Sequence, residues 1–140
     1  MPFDVAKWNG TWKHSGRSDN YPQIMQKLGL SAEAIQKFQE SEMTMGTSLS
    51  GDVLTVKVDF IGKTVTNTNT LGVEGVEEGI TGKKTQSIWT MDGDCLVALY
   101  PNFDGNGLVV SQKRSFVDDN KMLIEMKAGD LEGWVEHVRC

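Results

Sequence analysis

The spacing of hydrophobic positions changes once along the chain, after about its first third. Before that point, the segment SDNYPQIMQKLG places Tyr21, Ile24, Met25 and Leu28 at intervals of three and four residues, which is typical of one helix face. The segment SAEAIQKFQES repeats the spacing over a narrower stripe, with Ser31 as the predicted N-cap residue. Because about two residues separate these segments, they predict a helical hairpin.

In the rest of the chain, hydrophobic and polar residues alternate in short runs. Examples are VLTVKVDF, SIWTM, CLVALY and MLIEMKA, each typical of a strand with one buried face. Turn-forming clusters such as SGD, LGVEG, DGD, DGNG and AGD separate the runs at intervals of roughly ten residues. A further run, KWNGTWKHSG, precedes the helices. The pattern predicts ten short antiparallel strands in one mainly β domain over residues 1–140, as a sandwich or closed barrel.

Two of these runs carry polar side chains where an apolar face is expected. In GLVVSQKRS at 107–115, Leu108 and Val110 point to one side of the strand, and Gln112 continues their row. This amide is either exposed near a frayed strand end or faces a cavity with a polar position. VTNTNT at 65–70 has threonine on one face and mostly asparagine on the other, so the strand borders solvent or its inner face meets enclosed water.

Charge and composition exclude several classes of protein. The net charge of −5 and the pI near 5.0 argue against nucleic-acid binding and against a polybasic membrane surface. The two cysteines, Cys95 and Cys140, are far apart and are expected to be free thiols in a reducing compartment. No secretory leader pattern opens the sequence, and no apolar run is long enough to span a bilayer. We therefore expect a cytoplasmic protein.

The sequence also lacks the motifs of common catalytic and metal sites. His14 and His137 are the only histidines, and the cysteines do not have zinc-ligand spacing. DGNG lacks the remaining ligands of a calcium-binding loop and is interpreted as a turn. There is no nucleophile elbow, phosphate-binding loop or dinucleotide glycine pattern. We expect no enzymatic activity, no metal and no cofactor.

The order of the predicted elements resembles that of the intracellular lipid-binding proteins, which include the fatty-acid-binding and cellular retinoid-binding proteins. The motifs that carry the resemblance over essentially the whole chain are GTWK at 10–13, SGDV at 50–53, TLG at 70–72, KTQSIWT at 84–90, FDGN at 103–106 and KRSF at 113–116. The resemblance implies a ten-stranded antiparallel up-and-down β-barrel, or clam, with a helix-turn-helix lid. It also implies a monomer that carries a hydrophobic small molecule, such as a fatty acid or retinoid, in an internal cavity.

The head-group positions depart from the fatty-acid-binding branch of that family. In that branch, an arginine on the eighth strand and an Arg-x-Tyr motif on the last strand hold the carboxylate. The resemblance aligns these positions with Gln112, Val135 and His137, so the carboxylate clamp is predicted to be absent. An inward glutamine is similar to the retinol-binding branch and favours a neutral polar head group, because an amide both donates and accepts. A protonated His137 would instead pair with an anion.

The alternation in LEGWVEHV supports this alignment of the last strand. It places Gly133, Val135 and His137 on the inner face, and two glutamates with Trp134 on the outer face. A shift of one residue would bury both carboxylates, which is costly for unpaired charges. The outward Trp134 is the feature that fits this assignment least well.

The resemblance further implies which residues line the cavity, with ordinary barrel core as the alternative for the methionines. The apolar lining is predicted to comprise Tyr21, Met25, Leu30, Ala34, Phe38, Met45, Val58, Phe60, Val110, Ile124 and Met126.

The leading hypothesis is a non-enzymatic carrier with a neutral-headed ligand. One alternative is an ordinary fatty-acid-binding protein that holds the carboxylate through His137 or water. Another is a structural or interaction protein whose cavity is filled. Lys27 and Lys37 of the lid suggest transient membrane contact, but nearby glutamates offset them, which favours a solvated face.

Overall fold

The computed structural model describes residues 5–40, 43–60, 63–79 and 83–140, apart from the side chains of residues 5, 6 and 38–40. A 3₁₀ turn, Val5–Trp8, leads into strand β1, Gly10–Arg17, which is followed by helices α1, Tyr21–Lys27, and α2, Ala32–Glu40. The remaining strands are β2 (Met43–Ser50), β3 (Val53–Phe60), β4 (Lys63–Thr70), β5 (Gly75–Glu78), β6 (Lys84–Asp92), β7 (Cys95–Tyr100), β8 (Val110–Asp118), β9 (Lys121–Ala128) and β10 (Leu131–Arg139).

The ten strands form one antiparallel sheet in the order β4-β3-β2-β1-β10-β9-β8-β7-β6-β5. Every strand pairs with the next strand in sequence except β4 and β5, which form no ladder among the described residues, and β1 also pairs with the last strand, β10. The sheet curls so that these two edge strands approach each other. This arrangement confirms the predicted up-and-down barrel with two helices inserted after the first strand.

Side chains of β4 bridge the gap between the two edge strands. The Asn67 side chain accepts a hydrogen bond from the backbone N–H of Glu78 and donates one to its carbonyl oxygen, both at 2.8 Å. Buried Asn69 donates to the Ser87 hydroxyl at 3.4 Å. The asparagine face of VTNTNT therefore replaces part of the missing backbone ladder with side-chain amides, which can donate and accept together.

The helical lid begins and ends where the sequence predicts it. The Ser31 hydroxyl accepts a hydrogen bond from the Ala34 N–H at 3.1 Å, as an N-cap does. Gly29 has a φ of 99°, a left-handed conformation that glycine adopts without strain, so α1 stops there. The lid docks onto β10, where Asn20 donates to the Glu132 carbonyl oxygen at 2.6 Å and Ile24 is fully buried.

The register of β10 agrees with the prediction. Val135 and His137 are buried in the barrel, with 4% and 1% of their surface exposed, whereas Trp134 is 40% exposed on the outer face. Glu136 lies on the outer side, 3.7 Å from the Lys121 ammonium group. The carboxylates of this strand thus remain near solvent, which is the physical reason for its register.

No helix within the described ranges is long and apolar enough to cross a membrane. The core is formed by one cluster of buried side chains that includes Trp8, Trp12 and Trp89, together with residues from most of the strands and from α1. This cluster does not fill the space beneath the lid.

Candidate functional site

A cavity of about 260 Å³ lies between the helical lid and the barrel wall. Seven of the predicted site residues line it: Tyr21, Met25, Leu30, Val58, Val110, Gln112 and Met126. The sequence analysis did not include the remaining lining residues, which are Leu28, Met43, Glu77, Glu78, Gly79, Lys83, Thr85, Tyr100 and Phe103. The wall is mostly apolar, but it carries a cluster of polar groups from β5 to β8.

The other predicted site residues lie elsewhere in the fold. Met45, Ile124 and Val135 are packed in the hydrophobic core rather than on the cavity wall. Phe60 is buried at the end of β3, and Ala34 is half-buried in α2. The prediction for Phe38 concerns a side chain outside the described part of the structure.

Gln112 lies on the cavity wall, near the start of β8. It is half-buried, and its Oε1 atom accepts a hydrogen bond from Nη2 of Arg114 at 3.4 Å. This contact uses one of the two lone pairs of the carbonyl oxygen, and the amide N–H groups remain available as donors. The position therefore offers a ligand a neutral hydrogen-bond donor on the cavity wall.

Arg114 is the interior residue that the sequence analysis missed. Only 7% of its surface is exposed, Nη1 points at the Met45 sulfur at 3.3 Å, and Nε has no hydrogen-bond partner among the described residues. Burial lowers the pKa of this guanidinium, while the nearby Tyr100 and Glu77 act to raise it. The carboxylate clamp is predicted to be absent from the aligned positions, and Arg114 places a cation at another position inside the barrel. Arg114 continues the row of Leu108, Val110 and Gln112, so the period-two spacing contained the signal.

Glu77 supplies a negative charge on the same cavity. Its Oε2 atom accepts a hydrogen bond from Nε1 of Trp89 at 2.9 Å, and its Oε1 atom accepts a long one from the Tyr100 hydroxyl at 3.5 Å. Burial, followed by the neighbouring Glu77, raises the pKa of Tyr100, so this hydroxyl remains a donor. The guanidinium of Arg114 stacks on the ring of the same Trp89, with its central carbon 4.9 Å from the ring centroid.

His137 is a buried neutral base and does not line the cavity. It faces His14 across β1 and β10, with the ring centroids 5.5 Å apart, and neither of its nitrogens has a described hydrogen-bond partner. Burial, then Arg114 and His14, lower its pKa to about 3. The position of His137 outside the cavity lining and its lowered pKa do not favour the protonated imidazole that pairing with a ligand anion requires.

The described residues contain no group of three or more histidine, cysteine or acidic side chains that could hold a metal ion.

The family model for the lipocalin and cytosolic fatty-acid binding proteins matches residues 8–121. The chain belongs to this family. Within it, fatty acid-binding protein 12 of Mus musculus is 30% identical over 121 residues, which cover 86% of this chain and 88% of the relative. The human protein of the same name is 31% identical over 121 residues, covering 86% and 83% of the two chains.

Solved structures of lipid-binding proteins share the fold. The Schistosoma mansoni fatty acid binding protein in complex with arachidonic acid has a TM-score of 0.85 and 22% identity, with 97% of this chain and 98% of that chain covered. Apo lipid binding protein 8 of Caenorhabditis elegans has a TM-score of 0.85 and 14% identity, with full coverage of both chains. At these identities the likeness establishes the barrel and lid of the family, not the ligand.

Proposed function

We propose that this protein is a non-enzymatic carrier of a long hydrophobic molecule, acting as a cytoplasmic monomer. Family membership and the fatty acid-binding relatives support the carrier class. The cavity under the lid supports the same class, because its mostly apolar wall can hold a hydrocarbon chain. Burial of that chain drives binding at roughly 0.8 kcal/mol per CH₂ group.

The ligand carries a neutral polar head group. The observation that supports this choice is Gln112, which stands on the cavity wall with its carbonyl oxygen held by Arg114. Its amide can donate to a hydroxyl, ester or amide oxygen without adding a charge. Arg114 itself is outside the cavity lining, and Glu77 lies on the cavity wall as a counter-charge to it.

A second candidate is a fatty-acid carrier in which Arg114 binds the carboxylate. The unpartnered Nε of its buried guanidinium favours this alternative, because an arginine fork matches a carboxylate. For this contact, the guanidinium would have to exchange its contacts with Met45 or Gln112 for contacts with the carboxylate.

Competition binding with an alcohol and an acid of equal chain length separates the two candidates. We expect the alcohol to bind more tightly at pH 7.5, and Gln112→Leu to weaken it by about 1–2 kcal/mol, since a buried hydrogen bond is lost. Arg114→Met is the matched change for the alternative. If the acid binds more tightly than the alcohol and Arg114→Met abolishes acid binding, the fatty-acid carrier replaces the carrier of a neutral-headed ligand as the proposed function. If neither ligand binds, the protein is not a carrier and the filled-cavity interpretation holds.

A further inference from the structure

We infer that Glu77 determines ligand specificity by favouring head groups that donate a hydrogen bond over acceptor-only head groups and carboxylates. The inference rests on the proposed function and narrows the ligand class to long-chain alcohols and amides. It concerns a side chain on β5, away from the strands on which the sequence analysis placed the head group.

Glu77 has hydrogen-bonding capacity that the protein does not use. A carboxylate offers about four lone-pair positions. Two of them are engaged, by Trp89 at 2.9 Å and by Tyr100 at 3.5 Å, and the side chain borders the cavity. Its direct cross-strand neighbour Thr85 also lines the cavity, and the buried Thr85 hydroxyl has no described hydrogen-bond partner. This part of the wall therefore presents the unused acceptors of Glu77 toward the ligand space, beside a Thr85 hydroxyl that can both donate and accept.

Gln112 and Glu77 make complementary demands on a head group. Gln112 offers N–H donors, and Arg114 uses one of the two acceptor positions of its oxygen, whereas Glu77 offers only acceptor oxygens. A hydroxyl or an amide satisfies both demands at once. An ether, aldehyde or ester satisfies only the donor, and leaves the carboxylate side of the wall facing an acceptor.

The charges near the cavity also favour a neutral head group over a carboxylate. Glu77 acts electrostatically on Arg114, and Trp89 contacts both, by stacking on the guanidinium and donating to the carboxylate. The pair supplies one positive and one negative charge. An incoming carboxylate would add a second negative charge in a poorly solvated space, where like charges repel strongly.

The test compares three ligands of equal chain length, a primary alcohol, its methyl ether and the acid, by displacement of a fluorescent lipid probe. We expect the wild type to bind the alcohol about tenfold more tightly than the ether, the scale of one hydrogen bond to a charged group. Glu77→Gln should bring this ratio close to one and tighten acid binding about tenfold. Glu74→Gln is the control, since it removes the same charge at an exposed position outside the cavity lining.

The possible failures are distinguishable. If the wild type binds none of the three ligands, the proposed function fails. If Gln112→Leu weakens the alcohol but Glu77→Gln leaves both ratios unchanged, only the inference about Glu77 is overturned. The comparison of alcohol with ether in the wild type needs no variant. Equal affinity for these two ligands would overturn the inference even if Glu77→Gln failed to fold.

Discussion

The guanidinium of Arg114 lies over the ring of Trp89, with its central carbon 4.9 Å from the ring centroid. The contact places a permanent positive charge inside a barrel that otherwise presents mostly apolar side chains. Among the described residues, no carboxylate oxygen lies within ion-pair distance of this guanidinium, so its burial is compensated by stacking, by the contacts with Gln112 and Met45, and by the more distant charge of Glu77.

A first prediction contrasts Arg114 with Arg139, which also stacks on a tryptophan. Arg139 lies 4.6 Å from the Trp12 ring centroid and donates to three backbone carbonyl oxygens. Arg139→Met should therefore lower the free energy of unfolding by about 1–2 kcal/mol. Arg114→Met should cost less or stabilise the fold, because it removes a charge buried without a partner ion. Urea denaturation measures both, and a larger loss for Arg114→Met would assign Arg114 a mainly structural role.

A second prediction concerns pH and His137. Its pKa is lowered from 6.5 to about 3, so between these values the unfolded chain binds a proton that the folded protein does not. The stability that neutral His137 contributes is complete above pH 6.5 and is lost as the pH falls, by about 1.4 kcal/mol per unit. His137→Leu should therefore lose less stability than the wild type between pH 7 and pH 5, by about 2 kcal/mol.

Urea denaturation at both pH values gives the comparison, and NMR of the imidazole protons provides an independent reading. The charged or titratable groups that act on this ring are Arg114 and His14, and both lower its pKa. Parallel pH profiles of the wild type and His137→Leu, or an imidazole that titrates near pH 6.5, would contradict the assignment of a buried neutral base.

A third prediction tests how the lid docks onto β10. A Cβ atom added at Gly133 would lie 2.5 Å from Cδ1 of Ile24 and 2.6 Å from the Ser18 hydroxyl oxygen. Gly133→Ala should therefore displace α1, lower the free energy of unfolding by about 1–3 kcal/mol and speed ligand exchange. Gly46→Ala is the control, because its Cβ would meet the nearest atom, in Lys57, at 3.8 Å. Similar effects of the two changes would argue against close docking at Gly133.

A fourth prediction addresses the lid residue Met25. It is buried against the cavity, with 5% of its surface exposed, while its neighbour Gln26 is exposed. Met25→Ser should raise the ligand dissociation rate several-fold relative to Gln26→Ser, since a polar group weakens the apolar contact between lid and ligand. Stopped-flow transfer of a fluorescent lipid to vesicles measures the rates. Equal rates in the two variants would show that Met25 does not control ligand release.

The sequence by itself determined the fold and much of the site. The change from helical to alternating spacing placed the lid and the strands, because each element buries its apolar side chains with the period of its own backbone. The same alternation oriented β10, since its two glutamates had to remain near solvent. It also placed Gln112 on the inner face, where the structure has it on the cavity wall.

Only the tertiary structure decided which inward residues share the cavity and what charges they carry. Met45 and Val135 are buried in the hydrophobic core but are not part of the cavity wall. Glu77, on a strand of only four residues, reaches the cavity because the barrel brings β5 beside Trp89 of β6 and Tyr100 of β7. Alternation assigns a side chain to a face, whereas its neighbours across that face come from strands distant in sequence. The burial of these neighbouring side chains, and the charges close to them, then determine the pKa values in the site.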